Sequence, residues 1–192
     1  MSDNIDDTQI RQIVQRVLKQ TLGTLQPGPE TVVSPINSAS SGKRIVAIGA
    51  DHGGFELKEA LKSEIKNLGF EIQDVGTNSK DAVDYPDFAQ AVAELVSAGK
   101  AWRGIMIDGA GIGSCIVANK VPGVRAGMAY DISSASNSRE HNDTNMLTLG
   151  AGLIGANLSK QIVQTWLKIE FGGGRHAPRV DKIKLVEKKY LK

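Results

Sequence analysis

A chain of 192 residues with 41% hydrophobic and 23% charged residues has the make-up of a globular protein large enough to bury a core. Its formal net charge of +2 gives no broad basic field and argues against a nucleic-acid partner, and no apolar run approaches the ~20 residues of a membrane span. The single cysteine, Cys115, excludes an internal disulfide and fits a reducing compartment.

The first residues lack the apolar core of a secretory signal, and Asp3, Asp6 and Asp7 are out of place in a transit peptide, so a cytoplasmic location is expected. Asp6 or Asp7 is placed to cap a helix running to about Leu25. Ile10, Ile13, Val14, Val17, Leu18, Leu22 and Leu25 recur at helical spacing as one apolar stripe, with Gln12, Arg16 and Lys19 on the other side. Residues 26–42 then bring Pro27, Pro29, Pro35 and a run of serines, which predicts a flexible linker. A helix this short is marginal alone in water, so residues 1–25 need a surface to pack on.

From Lys43 onward strands and helices alternate. The predicted strands are Arg44–Gly49, Phe70–Val75, Gly104–Ile107, Val124–Ala129 and Met146–Leu149. The predicted helices are Phe55–Leu68, Asp87–Ala98, one from the glycine loop to Lys120, Asp131 to about Glu140, Ala156–Glu170 and Arg179–Tyr190. This order predicts one α/β domain over residues 43–192, a Rossmann-like three-layer sandwich whose five-stranded parallel sheet carries helices on both faces. Ligands in such sheets bind beyond the carboxyl ends of the strands.

Four clusters carry polar chemistry. Asp51-His52-Gly53-Gly54 follows the first strand and opens a helix, where free backbone N–H groups suit an anion. Asp51 reads equally well as a helix cap. Asp108-Gly109-Ala110-Gly111-Ile112-Gly113-Ser114 follows the third strand, and its alternate glycines suit a nest of amides for phosphate or an oxyanion. The spacing is neither the dinucleotide fingerprint nor a P-loop, so a nucleotide cofactor is not expected. His141-Asn142 follows a helix, and His141 is either a dipole-stabilised surface residue or an acid–base group. Arg175-His176 and Arg179 beside Gly172–Gly174 suit capture of a phosphate or form a solvated basic turn. All three histidines of the chain, His52, His141 and His176, fall inside these clusters.

Taken with Asp84-Tyr85-Pro86-Asp87 and Ala118-Asn119-Lys120-Val121-Pro122-Gly123, these motifs resemble the ribose-5-phosphate isomerase B family, to which galactose-6-phosphate isomerase subunits also belong. The resemblance spans about residues 43–185. It implies a metal-free, cofactor-free aldose–ketose isomerase that opens a furanose ring and moves a proton between C1 and C2 through a cis-enediolate. It further implies a homodimer or tetramer with sites shared between subunits. By the same resemblance Asp51 and His52 would contact the sugar or its phosphate, and Tyr85 would line the pocket. The backbone of Gly109, Ala110, Gly111 and Gly113 would face the enediolate oxygen, with His141 assisting ring opening and Asn142 holding a hydroxyl. Arg175 and Arg179 would grip the phosphate.

The chain departs from that pattern at the proton-transfer base. The family commonly has cysteine where Asp108 stands, and threonine or serine where Ala110 stands; members with a glutamate base carry it where this chain has Ser114. A carboxylate is chemically competent for abstraction beside a carbonyl, so Asp108 is the expected base for converting ribose 5-phosphate to ribulose 5-phosphate. A protein that binds sugar phosphates with weak or no isomerisation stays open, as does a non-catalytic microcompartment-associated protein. The helix-plus-linker extension resembles the encapsulation peptides of bacterial microcompartment cargo, which would dock residues 6–25 on shell proteins.

Overall fold

The computed structural model describes residues 44–191; the helix expected over residues 6–25 and the linker expected over 26–42 lie outside them. The strands are β1 (Ile45–Ala50), β2 (Glu71–Asp74), β3 (Arg103–Asp108), β4 (Ala126–Met128) and β5 (Met146–Gly150). The helices are α1 (Phe55–Asn67), α2 (Tyr85–Ser97), α3 (Ile112–Ala118), α4 (Ile132–Glu140), α5 (Ala156–Lys168) and α6 (Ala177–Tyr190), with a 3-10 turn at Gly174–His176.

The strands form one parallel sheet in the order β2-β1-β3-β5-β4. The central strands are buried on both faces and carry apolar residues on both, as in Ile105-Met106-Ile107 and Met146-Leu147. Edge strand β2 instead exposes Glu71, Gln73 and Asp74, which discourages pairing with a further strand. On one face α1 packs Leu57, Leu61 and Ile65, α5 packs Ile162, Val163, Trp166 and Leu167, and α4 adds Ala135. On the other face α2 packs Ala89, Val92, Ala93 and Val96, with Ala118 of α3 beside them. The three-layer arrangement expected from the alternation is therefore present.

Some boundaries differ from the sequence expectation for local reasons. Helix α2 begins at Tyr85 rather than Asp87, because Pro86 fits a first turn where no amide donor is needed. Helix α5 stops at Lys168 rather than Glu170, since Ile169 is extended. Its carbonyl accepts from Arg103 Nη2 at 3.0 Å and from Arg139 Nε at 3.2 Å. Helix α6 starts at Ala177, with Pro178 in its first turn, rather than at Arg179. Helix α3 ends at Ala118, short of Lys120, and β4 keeps three residues of the six expected.

The parallel register fixes which functional clusters share an end of the sheet. Asp108 pairs with Gly150 at the carboxyl ends of β3 and β5, whereas Gly104 pairs with Met146 at their amino ends. Helix α4 returns the chain from the carboxyl end of β4 to the amino end of β5, so its last residues lie at the amino ends.

Candidate active site

The carboxyl ends of β1 and β3 hold two loops in contact. The Asp51 amide donates to Ile107 O at 3.3 Å, which ties the first loop to the end of β3. Asp51 is buried, and its Oδ1 accepts from Gly54 N at 3.0 Å, so it closes the turn that leads into α1. His52 is exposed, with Nδ1 3.2 Å from Val83 N and 3.1 Å from Val83 O. Whichever tautomer forms, Val83 engages Nδ1 and the ring presents Nε2 outward.

The loop after β3 is organised around Asp108, which is only 4% exposed. Oδ1 accepts from Ala110 N at 2.8 Å and from Gly111 N; Oδ2 accepts from Ser114 N at 3.2 Å and from Ser114 Oγ. A buried carboxylate needs such donors, and the nearest amides supply them. Gly111 sits at φ 79°, a left-handed conformation that bends the amides inward around the carboxylate. The loop is also tied to β5, because Ala151 N donates to Asp108 O at 2.8 Å and Gly152 N to Gly109 O at 2.9 Å.

The amides of Ala110 and Gly111, expected to face an enediolate oxygen, are directed to the Asp108 carboxylate. Gly109 and Gly113 remain at the accessible side of the loop. A Cβ on Gly113 would come within 2.5 Å of Tyr85 Cζ, so the glycine is what lets the Tyr85 ring lie over the loop. Tyr85 therefore does line this end of the sheet, 38% exposed.

The remaining expected residues gather at the amino ends. His141 caps the C-terminus of α4, its N–H donating to Asn137 O at 2.9 Å. Gly172 N donates to Glu140 O at 2.9 Å and draws the glycine turn onto the same helix end. His176 then stacks on His141, with ring centroids 4.0 Å apart and planes 8° from parallel. Arg175 Nε reaches His176 Nε2 at 3.3 Å, and Arg179 Nη1 donates to Arg175 O at 3.2 Å. Partial burial, then the charges of His141, Arg175 and Arg179, push the His176 imidazole below its ordinary pKa. Both arginines are exposed and neither forms an ion pair among the described residues. Asn142 lies alongside and lines a surface pocket with Asn119, Arg125, Ser138 and Ile183.

Within one chain, then, Asp51, His52, Tyr85 and Asp108 share one end of the sheet while His141, Asn142, Arg175 and Arg179 share the other. Five rises along β3 separate the two groups by roughly 16 Å. Residues assigned no role in the site from the sequence brace each end. Ser114 holds Asp108, and Asn137 Nδ2 lies 2.8 Å from His141 Nδ1. Buried Arg103 donates to Trp166 O at 2.6 Å and Leu167 O at 3.1 Å, locking the end of α5. The i, i+4 spacing of Asn137 and His141 was the one available signal.

The family description Ribose/Galactose Isomerase matches residues 46–183, the whole span that carries both groups. The chain belongs to this family. Ribose-5-phosphate isomerase B of Escherichia coli (strain K12) is 42% identical over 144 residues, covering 75% of this chain and 97% of its own. D-erythrulose-4-phosphate isomerase of Pectobacterium atrosepticum is 41% identical over 139 residues, covering 72% of this chain and 91% of its own. The solved structure of Clostridium thermocellum ribose-5-phosphate isomerase B matches with a TM-score of 0.75 and 51% identity, covering 76% of this chain and 99% of that one. The ribose-5-phosphate isomerase B fold thus accounts for the domain, and sugar-phosphate isomerisation is the chemistry of its family.

Proposed function

We propose that this protein interconverts an aldose phosphate and its ketose, with ribose 5-phosphate and ribulose 5-phosphate as the pair, and that two chains assemble each site. The observation that carries the reading is the separation of the two residue groups at opposite ends of the sheet. One group offers a carboxylate and glycine-loop backbone for moving a proton between C1 and C2. The other offers two arginines for a phosphate and a histidine for ring opening. Neither is complete alone, and a symmetric dimer that sets one end against the other end of its partner joins them.

In this reading Asp108 is the proton-transfer base. It acts through an oxygen released from Ser114 or from a loop amide when the substrate's hydroxyls enter. The hydrogen bonds around Asp108 favour a second reading, in which its lone pairs stay occupied and the site binds sugar phosphate with little turnover. A coupled assay of ribose 5-phosphate conversion, with Asp108→Asn as control, separates them. Turnover that falls at least ~100-fold in the variant supports the base; equal rates remove Asp108 from proton transfer. Four-carbon erythrose 4-phosphate belongs in the same screen, given the relative named for D-erythrulose 4-phosphate.

For residues 6–25 we propose docking on microcompartment shell proteins, with the enzyme held inside a bacterial microcompartment in the cytoplasm, supported by the single apolar stripe in the sequence. Deleting residues 1–40 is expected to leave turnover intact and to abolish co-localisation with shell proteins. Loss of turnover would assign the segment to the enzyme itself.

A further inference from the structure

The two stacked imidazoles at the end of α4 ask for a division of labour, because the family resemblance gives a role to His141 alone. His141 is fixed on three sides. Its backbone caps α4, its Nδ1 faces Asn137 Nδ2 at 2.8 Å, and one ring face is covered by His176. With the Asn137 amide donating to Nδ1, the ring proton of a neutral His141 resides on Nε2 and points away from the helix. His176 is fixed in turn by the 3-10 turn and by Arg175, whose Nε donates to His176 Nε2 at 3.3 Å. Accepting that bond requires an unprotonated Nε2 on His176.

We propose that His176 is a positioning residue for ring opening: its neutral ring, stacked face to face on His141, holds the His141 Nε2–H in the orientation that protonates the furanose ring oxygen. The proposal rests on the isomerase reading above. The Nε2 proton of His141 goes to the ring oxygen as the C1–O bond breaks, and the proton of the C1 hydroxyl, released as the aldehyde forms, passes through solvent water back to the vacated Nε2, so that the imidazole ends neutral. The groups around His176 are His141 and Glu140 from α4, and Arg175 and Arg179 from its own segment. Partial burial, and then repulsion from the three of these four that can be cationic, lower the His176 pKa and so favour the neutral ring that the stack and the bond from Arg175 require.

The test compares His176→Ala and His176→Phe with the wild type on two substrates. Ribose 5-phosphate closes to a furanose, whereas erythrose 4-phosphate carries its phosphate on the oxygen that would close the ring and stays open. His176→Ala is expected to lower kcat for ribose 5-phosphate roughly tenfold, part of the gain an acid catalyst gives, with KM changed less than about twofold. His176→Phe keeps a stacking face and is expected to recover most of that loss. With erythrose 4-phosphate, where the wild type turns it over, His176→Ala should be nearly silent.

A rise in KM at unchanged kcat, or no rescue by phenylalanine, would make His176 a phosphate ligand or a plain structural residue and overturn the proposal. If the wild type converts neither sugar, the isomerase reading fails on its own account. The imidazole NMR signals of His141 then decide the positioning claim. Loss of the ring-current shift and of the single tautomer in His176→Ala supports it; unchanged His141 signals refute it.

Discussion

Ser114 Oγ donates to the Oδ2 of Asp108 across the glycine loop, from the first turn of α3 back to the last residue of β3. Both side chains are buried, Ser114 fully and Asp108 at 4% exposure. The pair joins the end of a strand to the start of a helix and so fixes the path of the glycine loop between them. Ser114→Ala leaves one carboxylate oxygen short of a donor, which costs about 1–2 kcal/mol. Chemical denaturation should show a lower midpoint at unchanged slope. If Asp108 is the base, the freed oxygen should keep or raise kcat even as stability falls, so stability and turnover should move apart in this variant.

Gly113→Ala tests whether Tyr85 matters for binding or only for packing. The added methyl meets the ring tip of a side chain that is already 38% exposed and can swing outward. The stability loss should stay under about 1 kcal/mol, because the clash is relieved by a rotamer change. KM for the sugar phosphate should rise severalfold as the ring leaves the pocket. Unchanged KM would remove Tyr85 from the lining.

Most of the fold was legible because the central strands are buried on both faces and the helices have clear apolar faces. Val92 and Val96 on α2, or Leu61 and Ile65 on α1, declare their elements by spacing alone. The clusters of the site were legible as residue types in loops. Their partners were not, because hydrogen bonds such as Ser114 to Asp108 depend on the path of a loop that spacing does not encode. Nor could spacing tell that His141 and Asp108 lie at opposite ends of the sheet; that follows from the register of β3 with β5. The stack of His141 on His176 brings together residues 35 positions apart and needed the turn at Gly172–Gly174 to be placed.

Lys58 is 2% exposed and is held by Asp74 at 2.6 Å and Glu59 at 2.9 Å, with Lys62 bridging the same two carboxylates. Burial works against ionised Asp74, but hydrogen bonds from Lys58 and Lys62 outweigh it and hold its pKa below the ordinary value. Hydrogen bonds from the same lysines lower that of Glu59, while bonds to Asp74 and Glu59 raise that of Lys62. Depressed carboxylates contribute stability above their unfolded pKa values and lose it as pH falls through the folded ones. The raised Lys62 contributes below its unfolded pKa of 10.5 and loses this as pH rises past the folded value. The network should therefore be fully effective at neutral pH and fade toward the acid and strongly alkaline ends. Asp74→Asn should cost up to about 3 kcal/mol at pH 7, because it leaves a buried ammonium with one carboxylate, and should flatten the acid limb of a stability–pH curve. An unchanged acid limb would place acid sensitivity elsewhere.

Mixing two inactive proteins tests whether each site draws on two chains. Asp108→Asn disables the carboxyl-end group and leaves the amino-end group intact; His141→Asn does the reverse. If both groups of one site come from one chain, no mixture of the two variants can work. If they come from different chains, a mixed dimer pairs the intact Asp108 end of one chain with the intact His141 end of the other, and its second site receives both lesions. Random exchange at equal concentrations makes half of the dimers mixed, each with one working site of two, so activity should recover to about a quarter of wild type. Recovery should need conditions that let subunits exchange, since stable dimers of each variant remain inactive. Full dimer exchange with no recovered turnover would confine the reaction to groups within one chain, against the roughly 16 Å that β3 puts between them.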